Sequence, residues 1–195
     1  MKTGIGNEYG NRAIEAFAGM NRYRARVDGL REHLKPAGQK GADGVWIIRP
    51  ENRRYLSGFS AMDAEFTEWA GSLLIAGDHC LLATDSRYRL EAESEAKDFE
   101  VVTLNRGVAD ELPGLVGRLG IRTLGFEAGY LPWGFHRDLK RNLDACTPPI
   151  GLHPLEGLVE DMRLVKDGAE LRVLEASARM ISRILDEVIP ELRPG

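Results

Sequence analysis

The chain has 195 residues, 43% of them hydrophobic and 29% charged, with a net charge of −4. That size and balance suit one sizeable folded domain or two small ones and exclude a disordered composition. The acidic balance argues against non-specific nucleic-acid binding, and no apolar run approaches the roughly 20 residues that a membrane helix needs.

The first 20 residues are glycine-rich and weakly patterned. Gly4-Ile5-Gly6 has no strand before it, so a dinucleotide loop is not supported there. Asn21 to Leu34 reads as a helix with Tyr23, Val27, Leu30 and Leu34 on one stripe, stopped by Pro36 and Gly38. Its basic cluster reads as the solvated face of that helix. Gly44 to Ile48 is short, apolar and β-branched, as a strand buried on both faces should be. Leu73 to Ala76 and Cys80 to Ala83 flank Gly77-Asp78-His79 and predict a hairpin. Ser86 to Lys97 is expected to be helical, with Asp85 or Ser86 as its cap. Val101 to Leu104 is a strand, and the helix after it ends at Leu119 before Gly120, with Pro113 inside it. The run "IRTLGFE" is a strand, and "LPWGFHRDLKRNL" is a helix with Pro132 near its first turn. "ACTPPIGLHP" reads as an extended, proline-punctuated connection. From Leu155 to Ile189 the pattern is helical almost throughout, with Leu164, Leu171, Leu174, Ala178, Ile181, Leu185 and Val188 on one seam. Strands alternate with helices and one hairpin is inserted, which implies an α/β layered domain with a mixed sheet.

Reactive chemistry is sparse. His33, His79, His136 and His153 are isolated, with no zinc-type spacing, so no metal site is expected here. No nucleophile elbow and no P-loop is present. Glu91, Glu93 and Glu95 read as a solvated helix face. Cys80 and Cys146 lie in apolar runs and read as small core residues. The lack of Cys-x-x-Cys and of a secretory signal points to a reducing cytoplasm. The stretch "RPENRRYLSGFS", Arg49 to Ser60, concentrates arginines after a strand. Structurally, Pro50 ends the strand, Asn52 caps a turn starting at Arg53, Leu56 and Phe59 bury inward, and Gly58 frees the exit. Arg53 and Arg54 beside a helix start also leave anion binding open.

Four motifs follow one another: "NRRYLSGF" (Asn52 to Phe59), "LLATDSRY" (Leu81 to Tyr88), "LGFE" (Leu124 to Glu127) and "RLVKDGAELRVLEASARM" (Arg163 to Met180). In that order they resemble the amino-terminal domain of the creatinase/prolidase/aminopeptidase P (M24, pita-bread) metallopeptidases. The resemblance implies an RNase H-like α/β domain with a mixed sheet over 21–154, an extension over 1–20, and the first helix of a catalytic domain over 155–195. It implies that this chain is the non-catalytic part of an Xaa-Pro peptidase, a hydrolase of the aminopeptidase P or prolidase kind, cytoplasmic and dimeric. The parent would use two divalent ions, manganese, cobalt or zinc, held by a catalytic domain of the same polypeptide. No catalytic or metal-binding residue is expected in these residues. Arg53, Arg87 and Tyr88 are candidates for contacting peptide substrate at the access route, with Arg87 or Tyr88 reaching across a homodimer. Asn52, Tyr55, Gly58, Asp85 and Glu127 are the structural motif residues. The segment "SAMDAEFTEWAGS" is longer and more acidic than the corresponding turn in relatives, which bears on substrate preference. A stand-alone α/β interaction module is the alternative.

Overall fold

In a computed structural model of the chain, residues 22–34, 41–62 and 69–193 are described. The glycine-rich start and the middle of the acidic link between Ala61 and Trp69 therefore lie outside the described residues. The first compact unit runs from Arg22 to Met162, and the remaining described residues, from Arg163 onwards, belong to a second unit.

The first unit contains helix α1 (Arg22–Leu34), strand β1 (Gly44–Ile47), helix α2 (Pro50–Ser57), strands β2 (Ser72–Ala76) and β3 (His79–Thr84), helix α3 (Arg89–Glu95), strand β4 (Glu100–Thr103), helix α4 (Val108–Arg118), strand β5 (Thr123–Glu127), helix α5 (Trp133–Asp144) and strand β6 (Gly151–Leu155). Helix α6 (Leu158–Leu164) crosses the unit boundary, and α7 (Gly168–Val188) follows. The strands form one six-stranded sheet in the order β4-β3-β2-β1-β5-β6. β2 is antiparallel to both its neighbours, while the other pairings are parallel, so the sheet is mixed as expected. Alternation along β1 sets the two cores. Val45 and Ile47 face the cluster that contains Leu30, Leu56 and Phe59. Trp46 and Ile48 face the cluster of Leu112, Val116 and Leu139. Every residue of β1 is buried, which is why its sequence is apolar without alternation. The β2–β3 hairpin turns at Gly77, whose φ of 51° a side chain would resist.

Several expectations need correction. Helix α2 begins at Pro50, with Arg49 in extended backbone before it and no side-chain cap. Proline at the first helical position has no N–H to orphan, so the helix starts three residues earlier than a cap at Asn52 implied. Asn52 lies inside the helix, and its side chain works elsewhere. Helix α3 starts at Arg89 with Tyr88 as its boundary, so Asp85 and Ser86 do not cap it. Asp85 instead closes a local turn, its Oδ1 accepting from the Arg87 N–H at 2.8 Å. Glu95 is not simply solvated: its carboxylate accepts from the Ser60 N–H at 2.7 Å and hydroxyl at 2.9 Å. The proline-rich connection contains β6, in register with β5 from Gly151↔Thr123 to Leu155↔Glu127. β6 is an edge strand, where Pro154 sacrifices no inward ladder bond. The long helical run is two helices. At the break, the Asp167 carboxylate accepts from the Ala169 and Glu170 N–H groups at 2.9 Å each, and Glu170 accepts from the Asp167 N–H at 3.0 Å, a capping box. Leu155, Leu158 and Val159 are buried with the sheet's core, so the first unit continues to Met162.

In the second unit, α7 has no buried residue, and Leu171, Leu174, Ile181, Leu185 and Val188 are each about half exposed. No described helix is long and apolar enough to cross a membrane.

Candidate functional site

The parallel strands β1, β5 and β6 end on the same edge of the sheet, and polar residues gather there. Glu127 closes β5 and reaches across to the end of β1. Its Oε2 accepts from the N–H groups of Ile48 (2.5 Å) and Arg49 (2.7 Å), and its Oε1 from Asn52 Nδ2 (2.6 Å). Asn52, fully buried, also donates to Glu160 at 2.8 Å. Arg49 donates to the same Glu160 oxygen at 3.1 Å and lies 5.6 Å from the Tyr130 ring centre. The motif residues Asn52 and Glu127 are thus in direct contact, joined by Arg49, Glu160 and Tyr130. Burial pushes the Glu127 carboxyl above its ordinary value, and the Glu160 charge adds to this, against the three N–H donors that favour ionisation. Beside this network is a cleft of about 300 Å³ lined by Arg49, Glu127, Tyr130, Glu156 and Glu160.

The other arm of "NRRYLSGF" faces inward. Arg53 is fully buried; one guanidinium nitrogen donates to the Gly71 carbonyl at 2.5 Å and another to the Ala61 carbonyl. This arginine closes the two ends of the link between α2 and β2 and is enclosed by the scaffold. Tyr55 stacks under the Arg26 guanidinium, 3.9 Å from its ring centre, and its hydroxyl donates to the Met162 carbonyl at 3.4 Å. Gly58 leaves α2 with φ 84°, its N–H donating to the Arg54 carbonyl at 2.9 Å. A Cβ there would lie 2.8 Å from the Tyr23 ring, so both conformation and space require glycine.

Asp85, Arg87 and Tyr88 form a separate group where β3 ends. Asp85 binds Arg87 through Nε (3.0 Å) and Nη2 (2.6 Å), and the guanidinium lies 5.2 Å from the Tyr88 ring centre. Desolvation raises the Asp85 pKa, but the hydrogen bonds from Arg87 and the Tyr88 N–H outweigh it and hold the carboxyl below its usual range. The Tyr88 ring packs against the core, whereas the Arg87 side chain is 61% exposed. Of the three candidates for substrate contact, Arg87 therefore has the accessible surface. Among the described residues, no three His, Cys, Asp or Glu side chains come together to hold a metal ion.

Sequence inspection missed Arg49, Tyr130 and Glu160. Glu160 sits in a run that reads as the surface of one long helix, and nothing local marks it as a partner of Asn52, 108 positions away.

Residues 26–165 match the family model described as the creatinase/prolidase N-terminal domain. The chain is 29% identical over 158 residues to a protein described as uncharacterized peptidase YqhT from Bacillus subtilis, covering 81% of this chain and 42% of that protein. It superposes on an Xaa-Pro dipeptidase from Bacillus anthracis with a TM-score of 0.78 and 28% identity, covering 89% of this chain and 44% of the dipeptidase. It also matches the N-terminal domain of the cytoplasmic peptidase PepQ from Mycobacterium tuberculosis, at 34% identity and TM-score 0.59, over 70% of this chain and 97% of that domain. The chain thus spans less than half the length of the first two relatives and nearly all of the isolated domain. With the mixed six-stranded sheet and the Asn52–Glu127 contact in place, the chain belongs to the creatinase/prolidase N-terminal domain family.

Proposed function

We propose that this chain is the non-catalytic amino-terminal domain of an Xaa-Pro peptidase. The observation that carries this is the likeness to the Xaa-Pro dipeptidase over 89% of the chain, at a TM-score of 0.78. That dipeptidase is more than twice as long as the matched part, which favours a domain beside a catalytic partner over a stand-alone interaction module. In this reading the two divalent ions of such a peptidase, and the hydrolysis they support, belong to a catalytic domain beside this one. The domain would wall the access route to that site and help form a homodimer, with the apolar seam of α7 buried in the assembled protein. The protein is read as cytoplasmic on its likeness to the N-terminal domain of PepQ, which is described as a cytoplasmic peptidase.

The direct test is activity. The purified 195-residue chain should not cleave Xaa-Pro dipeptides or longer Xaa-Pro peptides, with or without manganese, cobalt or zinc. Fusion to a catalytic domain of the family should give metal-dependent cleavage. Turnover by the pure chain alone would overturn the assignment.

Arg87 is the proposed substrate contact, its fork meeting a peptide carboxylate across the dimer. In an active two-domain enzyme, Arg87→Ala should raise KM for short substrates several-fold with kcat and thermal stability little changed, as lost ground-state binding does. Asp85→Ala removes the turn and the low-pKa carboxylate. Because this pair is largely exposed, its loss should cost at most about 1 kcal/mol. That difference should shrink as pH falls, since a depressed carboxyl stabilises the fold above its ordinary pKa of 3.8 and loses this as it protonates. An Arg87→Ala enzyme that is destabilised but keeps its KM would make this group scaffold only.

A further inference from the structure

A second cleft, about 460 Å³, opens between the ends of β3 and β4 and the start of α4. Trp69, Leu104, Val108 and Phe135 give it apolar walls, and Arg87 and Arg106 stand on its lining. The volume suits one large side chain with its main-chain atoms. The carboxylates of this region are already engaged. Asp85 is held by Arg87, and Glu111 accepts the N–H groups of Asn105 (2.6 Å) and Arg106 (2.5 Å). The Arg106 guanidinium, by contrast, has no hydrogen bond or ion pair with any described residue. Trp69 carries an enclosed indole N–H without a hydrogen-bond partner among the described residues, although a buried tryptophan N–H usually has one. The cleft therefore combines an aromatic and aliphatic surface with one uncompensated cation and one unmatched donor.

We propose that this cleft binds an apolar α-carboxylate, the C-terminal residue of a peptide with a large apolar side chain. The side chain lies against Trp69, Phe135 and Val108, and the carboxylate meets Arg106. The fork of an arginine suits a carboxylate better than a neutral carbonyl, which makes the free acid the preferred form. This inference goes beyond the peptidase assignment and does not need it, because the cleft lies wholly within the first unit and binding requires no catalytic domain.

The test is a titration of the ¹⁵N-labelled 195-residue chain with N-acetyl-phenylalanine and with its amide, followed by two-dimensional NMR. The three tryptophans give three indole signals, assigned by Trp69→Phe. Trp46 Nε1 donates to Ser72 Oγ at 2.8 Å inside the core, and its ring stacks on Phe135 with centroids 6.0 Å apart, so its signal reports only indirectly. The expected result is movement of the Trp69 indole signal and of the backbone amides of Arg106, Gly107 and Val108, larger than any movement of the Trp46 signal. The amide derivative should bind at least tenfold more weakly. Arg106→Ala should weaken the acid at least tenfold and leave the melting temperature unchanged, because its side chain supports nothing in the fold, and Arg106→Lys should recover part of the affinity. Equal binding of acid and amide, unaltered affinity in Arg106→Ala, shifts confined to other surfaces, or no saturable binding up to 10-fold molar excess at millimolar protein would each overturn the proposal.

Discussion

Arg53→Met should lower the unfolding free energy by about 3–5 kcal/mol, a large share of a small domain's stability. Methionine retains most of the aliphatic volume, so little of this loss comes from a cavity. The cost comes from the carbonyls of Gly71 and Ala61, which lose a charged donor where water cannot replace it. Those carbonyls flank the link between α2 and β2, so the same change should also loosen the ends of that link. The guanidinium lies 5.1 Å from the Phe59 ring centre, and that contact goes as well. Arg54→Met, one residue on and exposed, is the control and should change stability by less than about 0.5 kcal/mol. Urea unfolding followed by circular dichroism measures both. A loss below about 1 kcal/mol in Arg53→Met would mean that the two carbonyls find other donors.

The elements that sequence inspection placed well are those whose signals are local and unopposed. β1 declares itself by an apolar run, and the β2–β3 hairpin by Gly77-Asp78 between two apolar segments. Helix α5 carries its proline just before the first turn, as expected. The misplaced elements are those where a local signal was overridden by a long-range one. β6 carries Pro154 and follows Pro148 and Pro149, so it looks like coil, yet pairing with β5 makes it a strand because an edge position tolerates the missing donor. The break between α6 and α7 was written as Asp167-x-x-Glu170, a capping signature that the continuous apolar seam concealed.

The site was legible only in part, for the same reason. Asn52 and Glu127 were singled out by motif, but their contact joins positions 75 apart and no spacing rule reveals it. A polar residue in the first turn of a short helix reads as a cap, and here the cap function is absent while the side chain bridges two carboxylates. Arg53 is the converse case. A basic residue near a helix start is by default solvent-facing, and only the fold brings two backbone carbonyls around it. Arg106 drew no attention because its role depends on which neighbouring carboxylates are already taken.

Glu127→Ala should be the most damaging change in the polar network, at about 3–5 kcal/mol, because it strands two backbone N–H groups at the end of β1 and one side-chain donor of a fully buried Asn52. Glu127→Gln keeps an acceptor for the backbone donors and removes the charge, so its cost should be less than half as large. The pH dependence separates the two contributions of this carboxylate, hydrogen bonding and charge. Burial raises the folded-state pKa of Glu127 above the ordinary 4.5, with Glu160 as the nearby like charge and the N–H groups of Arg49, Ile48 and Asn52 opposing the shift. A raised pKa means that the folded chain holds this proton more tightly than the unfolded chain does. The resulting stabilisation is fully present below the unfolded value and is lost as pH rises through the folded one. Wild-type stability, measured against Glu127→Gln by urea unfolding, should therefore decline as pH climbs from about 4.5 towards neutrality. The glutamine variant lacks the titrating group, so titrations elsewhere in the chain cancel in the difference. A wild type that gains on Glu127→Gln over the same range would show that the three donors outweigh burial and that Glu127 is held as an anion throughout.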